Sequence, residues 1–191
     1  MVIGLTGPMA SGKNTVISTL KKKGFKSITM SDVIREEMDR QGIPPERSKM
    51  QDFANGIRAK EGAGAWARRC LEKAKQEGWK NWVIDGIRNP AEIDELKKDP
   101  SFVLIAIMLS ENEIVKRILA RKRDIDSKSA SEISRELSRD WGEGEPPEGQ
   151  QVGLSVRRAD YYFDNSIPFD KVESEFLKLY NRILKEKNFN R

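Results

Sequence analysis

The chain has 191 residues, of which 34% are charged and 37% hydrophobic, and this balance predicts one soluble globular domain that spans residues 1–191. It contains one cysteine and no histidine. That composition excludes an intrachain disulfide, a cysteine-rich zinc site and any histidine base or metal ligand. The remaining carboxylates, lysines, arginines and backbone amides suit phosphoryl transfer, in which positioning and charge stabilisation dominate catalysis.

The net charge of +5 is compatible with a nucleic-acid partner or with small polyphosphate ligands. The lysines and arginines are scattered along predicted helices, often beside glutamate, which is typical of solvated helix faces. They do not alternate with aromatic residues as in single-strand binders, so nucleic acid is not expected as a partner. The longest apolar run, Phe102–Leu109, suits a buried strand rather than a membrane span. With no secretory signal at the N-terminus, we expect a cytoplasmic protein without a membrane partner.

Five short apolar runs alternate with stretches of helical spacing along the chain. The predicted strands are Val2–Leu5, Ser27–Met30, Trp82–Asp85, Val103–Leu109 and Tyr161–Asp164. The last predicted helix repeats apolar residues at spacings of four, four and three, namely Val172, Phe176, Tyr180 and Ile183. This alternation favours an α/β fold with a mostly parallel sheet, whose ligands bind at the carboxyl ends of the strands.

Two stretches lack a predicted strand and are interpreted as insertions. Residues from about 31 to 78 are helical, with a break at Gly42-Ile43-Pro44-Pro45. Residues from about 122 to 153 are polar and contain a segment rich in glycine, proline and glutamate, Gly142–Gly149. That composition offers few apolar anchors and predicts a mobile flap.

A glycine-rich loop with a lysine follows the first predicted strand and precedes the first predicted helix. Its G-x-x-x-x-G-K pattern consists of Gly7, Pro8, Met9, Ala10, Ser11, Gly12 and Lys13. Such a loop turns its amides around a phosphate, the helix N-terminus adds partial positive charge, and Lys13 reaches the β- and γ-phosphates of ATP. The alternative is an ordinary glycine-rich turn. Asn14 stands where a hydroxyl commonly contacts Mg²⁺, and Thr15 supplies a hydroxyl one residue later.

Several motifs resemble those of the P-loop nucleotide kinases. Gly7–Thr15 is similar to the adenylate-kinase loop, which ends in Gly-Lys-Gly-Thr, and Ile3–Gly7 is similar to dephospho-coenzyme A kinase. Further similar segments are Ser31-Asp32-Val33-Ile34-Arg35, Val83–Arg88, Val115–Arg121 and Ala159–Ser166. The chain looks closest to an adenylate-kinase-related group of archaeal and bacterial proteins. The resemblance implies a three-layer P-loop NTPase fold with a five-stranded parallel sheet, an acceptor-binding helical insertion (about 31–78) and a lid (about 122–153).

The resemblance also implies roles for residues outside the loop. Arg35 matches the arginine that holds the acceptor phosphate in adenylate kinases, and Arg117 and Arg121 match two arginines that grip the donor phosphates. Asp32 matches the aspartate that serves as a base in dephospho-coenzyme A kinases. Adenylate kinases have an aspartate there without that duty, so Asp32 alone does not distinguish the two acceptors.

Each of these residues also has an alternative interpretation. Asp85, at the end of a predicted strand, is expected to orient Mg²⁺ through water, or to cap the turn at Gly86. Arg88 is expected to bind phosphate, or to pair at the surface with Glu92. Arg117 and Arg121 share one helix face, which would otherwise be solvated. Arg35 has Glu36 or Asp39 as alternative partners, and Asp32 could be a stabilising carboxylate at a helix N-terminus.

Together these features predict transfer of the γ-phosphoryl group of ATP, with Mg²⁺, to a small nucleotide acceptor. A ribo- or deoxynucleoside monophosphate is the leading acceptor. Phosphorylation of a hydroxyl, as in dephospho-coenzyme A kinase, and a non-catalytic nucleotide-binding switch are the alternatives. The sequence does not predict the oligomeric state.

Overall fold

A five-stranded parallel sheet forms the centre of the structure, a computed structural model that describes residues 1–44, 46–121 and 129–188. Its strands are β1 (Val2–Thr6), β2 (Lys26–Thr29), β3 (Trp82–Ile87), β4 (Phe102–Met108) and β5 (Tyr161–Asp164). They lie in the order β2-β3-β1-β4-β5, and each neighbouring pair is parallel. The predicted α/β fold with a five-stranded parallel sheet is confirmed.

Helices cover both faces of the sheet and make it the middle of three layers. They are α1 (Lys13–Lys22), α2 (Met30–Arg40), α3 (Arg47–Glu61), α4 (Ala65–Gln76), α5 (Pro90–Leu96), α6 (Glu111–Arg121), α7 (Ala130–Trp141), α8 (Val152–Arg157) and α9 (Phe169–Glu186). Successive strand residues point to opposite faces, so Val83 packs with Phe176 of α9 while Ile84 packs with Trp66 of α4. Both faces of the central strands are therefore buried, as their continuous apolar sequences require.

Several strand boundaries differ from the predicted ones by one or two residues, and two of these differences have local reasons. The strand predicted as Ser27–Met30 ends at Thr29, because the Thr29 hydroxyl accepts a hydrogen bond from the Asp32 amide and starts α2 at Met30. Strand β3 continues two residues beyond Asp85, because Gly86 adopts a φ of +87° that lets the backbone turn without ending the strand.

The two predicted insertions contain helices in their described parts, and in the second a turn-rich segment, residues 142–151, follows α7. The first contains most of α2 together with α3 and α4, and no strand occurs in residues 31–44 or 46–78. Of the predicted lid, residues 122–128 lie outside the described part of the chain. The remainder has more apolar anchors than the sequence predicted, because Ile133 and Leu137 of α7 are buried in a cluster with Met9, Ile114 and Ile118. Whether this segment moves remains a prediction.

The only cysteine of the chain provides a test of the core. Cys70 lies on the inner face of α4 and is fully buried, and this burial raises the pKa of its thiol above the ordinary value. We expect Cys70 to react with Ellman's reagent at least about tenfold more slowly in the native protein than in urea. Rapid stoichiometric labelling in native buffer would show that α4 does not pack as described.

Candidate active site

The phosphate loop connects β1 to α1 at the carboxyl edge of the sheet. Gly7 and Gly12 have φ angles of +121° and +96°, which disfavour any residue with a Cβ atom. A Cβ atom at Gly7 would overlap the carbonyl oxygen of Ile107, and one at Gly12 would overlap the side-chain amide of Asn165. Both glycines of the motif are thus required by backbone conformation and by space.

Lys13 places its ammonium group inside the loop. Its side chain is buried, and Nζ donates hydrogen bonds to the carbonyl oxygens of Gly7 and Pro8 at 2.9 and 2.8 Å. The lysine is therefore bound to the loop itself and contributes little to the hydrophobic core. This placement suits a group that neutralises a phosphate held by the loop amides.

A cavity of about 710 Å³ lies between the phosphate loop and the helical insertion. The loop contributes Met9, Ala10, Ser11, Gly12, Lys13 and Asn14 to its wall. Four other predicted site residues line the same cavity, namely Arg35, Asp85, Arg88 and Arg117. Of the predicted site residues that the structure describes, Gly7, Pro8, Thr15 and Asp32 do not line the cavity. Most of the predicted site residues therefore surround one space at the carboxyl ends of the strands.

Asp85 lies beside the loop within β3, opposite Leu5 of β1 and Thr29 of β2 in the strand register. Its Oδ1 accepts a hydrogen bond from the Gly86 amide at 2.7 Å, so the carboxylate also makes the capping contact that was its alternative role. The described residues contain no group of three or more acidic or cysteine side chains placed to hold a metal ion. One carboxylate beside a phosphate loop fits Mg²⁺ that arrives with nucleotide phosphates and retains several waters.

Arg88 forms a buried ion pair that the sequence analysis missed. Its partner is Asp140 of α7, which is 1% exposed. Arg88 also donates a hydrogen bond to Oε1 of Gln150 at 3.3 Å, and Asp140 accepts one from the Met9 amide of the phosphate loop at 3.2 Å. Asp140 was missed because residues 122–153 were predicted to form a mobile flap, so no contact with the phosphate loop was expected.

The expected alternative partner of Arg88, Glu92, pairs with a different arginine. Glu92 and Arg58 are both buried, and the Arg58 guanidinium donates two hydrogen bonds to Oε1 of Glu92 at 3.0 and 2.8 Å. Oε2 of Glu92 accepts hydrogen bonds from the backbone amides of Arg88 and Asn89 at 2.8 and 3.1 Å. Glu92 thus ties α3 of the insertion to the segment that carries Arg88. Arg58 lines the cavity, and its position four residues after the apolar Ala54, on the same face of α3, was the available signal.

Arg117 is held close to the phosphate loop by the segment after β5. Its Nη2 donates to the carbonyl oxygen of Asn165 at 3.2 Å, while the Asn165 side chain donates to the carbonyl oxygen of Ser11 at 2.7 Å. Asn165 is 2% exposed and therefore couples the loop to Arg117 within the protein interior. Arg121 ends α6, and its side chain lies outside the described part of the structure.

Arg35 and Asp32 form a pair at the start of α2. Nη2 of Arg35 lies 3.2 Å from Oδ1 of Asp32, and Nη1 donates to the carbonyl oxygen of Ser31 at 3.3 Å. The two side chains are 40% and 57% exposed, so the pair contributes little to stability. Asp32 lies in the first turn of α2, the position expected of a carboxylate that stabilises a helix N-terminus. Arg35 has Asp32 as its partner, and Glu36 pairs with Lys73 instead.

The fold is shared with solved structures that include two kinases. The chain is similar to TT1252 from Thermus thermophilus, with 18% identity and a TM-score of 0.63 over 96% of this chain and 97% of that one. It is also similar to shikimate kinase from Bacteroides thetaiotaomicron, with 14% identity and a TM-score of 0.60 over 97% and 98% of the two chains. A gluconokinase from Sinorhizobium meliloti gives 16% identity and a TM-score of 0.54 over 99% and 96%. These likenesses define the class of fold, that of the P-loop kinases.

Sequence relatives identify the family within this class. Residues 3–140 match a family model described as an AAA domain. A UPF0200 protein of Sulfurisphaera tokodaii is 36% identical over 183 residues, which cover 96% of this chain and 97% of that protein. A UPF0200 protein of Methanosarcina mazei is 34% identical over 159 residues, or 80% and 84% of the two chains. The chain belongs to the AAA domain family and to the UPF0200 proteins. In its described part, none of the helices has the length and apolar character needed to cross a membrane.

Proposed function

We propose that the protein transfers the γ-phosphoryl group of ATP to a small phosphate-bearing nucleotide, with a ribo- or deoxynucleoside monophosphate as the leading acceptor. The observation that carries this proposal is the shared cavity, in which the phosphate loop and four arginines, Arg35, Arg58, Arg88 and Arg117, face one space. The P-loop kinase fold supports ATP-dependent phosphotransfer in general. The choice of a monophosphate acceptor follows from the charges on the far side of the cavity.

The donor half of the proposed site is formed by the loop and α6. Backbone amides of the loop bind the donor phosphates, Lys13 neutralises charge on the β- and γ-phosphates, and Arg117 approaches from the side of Asn165. Mg²⁺ would supply charge neutralisation between the β- and γ-phosphates. Asp85 would hold it, through water, with Asn14 as a second oxygen donor at the edge of the cavity. Arg121 is proposed as a further donor-phosphate ligand by its position on α6.

The acceptor half is formed by the helical insertion. Its cavity wall combines apolar side chains with guanidinium and amide groups; the apolar ones are Ile34, Met50 and Ala54, and the polar ones are Arg35, Gln51 and Arg58. An apolar wall suits a planar base, and arginines suit a phosphate because their planar forks match its oxygens. A phosphate acceptor is already an anion at neutral pH and needs positive charge to bind. A hydroxyl acceptor would instead need a carboxylate base within hydrogen-bond reach.

The test of this proposal is ADP release from ATP·Mg²⁺ across a panel of ribo- and deoxynucleoside monophosphates and dephospho-coenzyme A. We expect one or more monophosphates to stimulate ADP release well above the acceptor-free rate. Stimulation by dephospho-coenzyme A alone would indicate phosphorylation of a hydroxyl. Slow hydrolysis that is indifferent to every acceptor would indicate a nucleotide-binding switch.

Substitutions at the Asp32–Arg35 pair separate the two kinds of acceptor. We expect Asp32→Asn to reduce kcat only modestly, because a phosphate acceptor requires no base, and Arg35→Ala to raise the acceptor KM by a larger factor. Steady-state kinetics with the preferred monophosphate measure both effects. A loss in kcat of more than about a hundredfold for Asp32→Asn, with acceptor KM and thermal stability unchanged, would favour hydroxyl phosphorylation.

A further inference from the structure

Asp140 places a carboxylate between two groups of the kind that bind phosphate. One is the Met9 amide of the phosphate loop, which donates to Oδ2 of Asp140 at 3.2 Å, and the other is the guanidinium of Arg88. Both groups line the cavity with Lys13. Asp140 itself is 1% exposed and belongs to α7. The carboxylate therefore contacts both the phosphate loop and an arginine of the cavity wall.

The burial of the Arg88 guanidinium explains why it needs an anion beside it. A guanidinium in a largely buried position requires an anionic partner, since an unpaired buried charge costs several kcal/mol. The Arg88 side chain is 19% exposed, so solvent supplies only part of that compensation. A carboxylate and a phosphoryl group offer an arginine and a backbone amide the same acceptor chemistry. Asp140 thus accepts interactions from the Met9 amide and the Arg88 guanidinium that a bound phosphoryl group could accept instead.

Helix α7 does not depend on Asp140 for its attachment. Ile133 and Leu137 are buried in an apolar cluster with Met9, and Arg139 pairs with both Asp52 of α3 and Glu145. These contacts hold the helix in place independently of the ion pair with Arg88. A carboxylate that is not needed to anchor its helix, yet is buried against the phosphate loop, requires a different explanation.

We propose that Asp140 is an internal anion that occupies a phosphoryl-oxygen subsite formed by the Met9 amide and Arg88, and that a phosphate-bearing ligand displaces it. The proposal rests on the proposed function, because it takes the cavity to be a phosphate site. In the ligand-free protein Asp140 keeps Arg88 oriented and compensated. When a triphosphate binds, its terminal oxygens replace the carboxylate, so part of the binding free energy is spent on breaking the Asp140 contacts.

Displacement predicts opposite effects on stability and on affinity. Asp140→Asn keeps the size of the side chain but removes the charge, so it should lower the melting temperature of the ligand-free protein and tighten anion binding. A residue with a merely structural role would weaken binding or leave it unchanged when replaced. The probe is inorganic tripolyphosphate with Mg²⁺, measured by isothermal titration calorimetry. We expect its Kd to fall at least about fivefold in Asp140→Asn relative to wild type.

Two further variants show whether the gain arises at this subsite. Asp52→Asn also removes a carboxylate that pairs with α7, at Arg139, but this carboxylate is 68% exposed and belongs to α3. It should leave the Kd of tripolyphosphate unchanged, and an equal gain there would assign the effect to loosening of α7 and overturn the proposal. Adding Arg88→Ala to Asp140→Asn should remove the gain, because the guanidinium that would bind the phosphoryl oxygens is then absent.

The outcome separates this inference from the proposed function. Tripolyphosphate binding requires no acceptor and no turnover, so Asp140 can be tested whichever acceptor the protein uses. If the Kd of Asp140→Asn equals or exceeds that of wild type while both proteins bind tripolyphosphate, the displacement proposal is wrong and the phosphate site stands. If wild type does not bind tripolyphosphate, the proposed function itself fails. Asp140→Ser serves as a second neutral variant if Asp140→Asn does not melt cooperatively.

Discussion

Replacement of Lys13 by alanine is expected to abolish phosphoryl transfer from ATP, a loss of at least about a hundredfold in kcat, while the protein remains folded. The ammonium group lies inside the phosphate loop on the carbonyl oxygens of Gly7 and Pro8, where it would meet the donor phosphates. Its removal takes away charge that stabilises the transferred group in the transition state.

A second lysine of α1 supplies the matched control. Lys22 is exposed, ends α1 at the opposite end from Lys13, and pairs with Glu173 of α9 at 2.7 Å. Lys22→Ala should therefore keep wild-type turnover, and the melting temperatures of both variants should stay close to that of wild type. Equal turnover by wild type and Lys13→Ala would contradict the assignment of the loop.

Removal of the Arg58 guanidinium is expected to have the largest effect on stability. Arg58 and Glu92 are 1% and 0% exposed, and Arg58→Met leaves the Glu92 carboxylate buried without its positively charged partner. Breaking a buried ion pair on one side costs about 3–5 kcal/mol, because the remaining charge is uncompensated. The free energy of unfolding from urea titration measures this cost.

The exposed pair between Lys73 and Glu36 is the appropriate comparison for Arg58. The two side chains lie 2.6 Å apart at 37% and 46% exposure, and pairs of this kind contribute about 0–1 kcal/mol. Lys73→Met should accordingly change the free energy of unfolding by less than about 1 kcal/mol. Adding Glu92→Gln to Arg58→Met should recover part of the lost stability, because it neutralises the buried carboxylate. A loss below about 1 kcal/mol for Arg58→Met alone would show that the pair is not desolvated as described.

The phosphate loop could be predicted from the sequence because its determinants are local. Gly7 and Gly12 are required by positive φ angles within the loop, and Lys13 reaches the loop carbonyls from the first turn of α1. The central strands were predictable for a related reason, since β1, β3 and β4 are largely apolar runs that are buried on both faces. The end of β2 before Met30 could not be predicted, because it depends on a capping hydrogen bond from the Asp32 amide to the Thr29 hydroxyl.

The residues that the sequence analysis missed are joined over long distances along the chain. Asp140 contacts Met9 across 131 positions, and Arg58 contacts Glu92 across 34. Such partners depend on how α7 packs against α6 and α8 and how α3 packs against α2 and α4, and neither spacing nor composition encodes that packing. The polar segment around Gly142–Gly149 indicated a flap, yet Asn89 donates hydrogen bonds from its side chain to the carbonyl oxygens of Pro147 and Gly149. Long-range hydrogen bonds of this kind anchor a segment that has few apolar residues.

The central claim, that the cavity transfers a phosphoryl group between two ligands, is tested most directly by following the γ-phosphate itself. The protein is incubated with Mg²⁺ and γ-labelled ATP in the presence of each nucleoside monophosphate, and the labelled products are separated. The account predicts that label appears in a nucleoside diphosphate with the wild-type protein and does not with Lys13→Ala. Label that appears only in inorganic phosphate, at a rate independent of every acceptor, would contradict it.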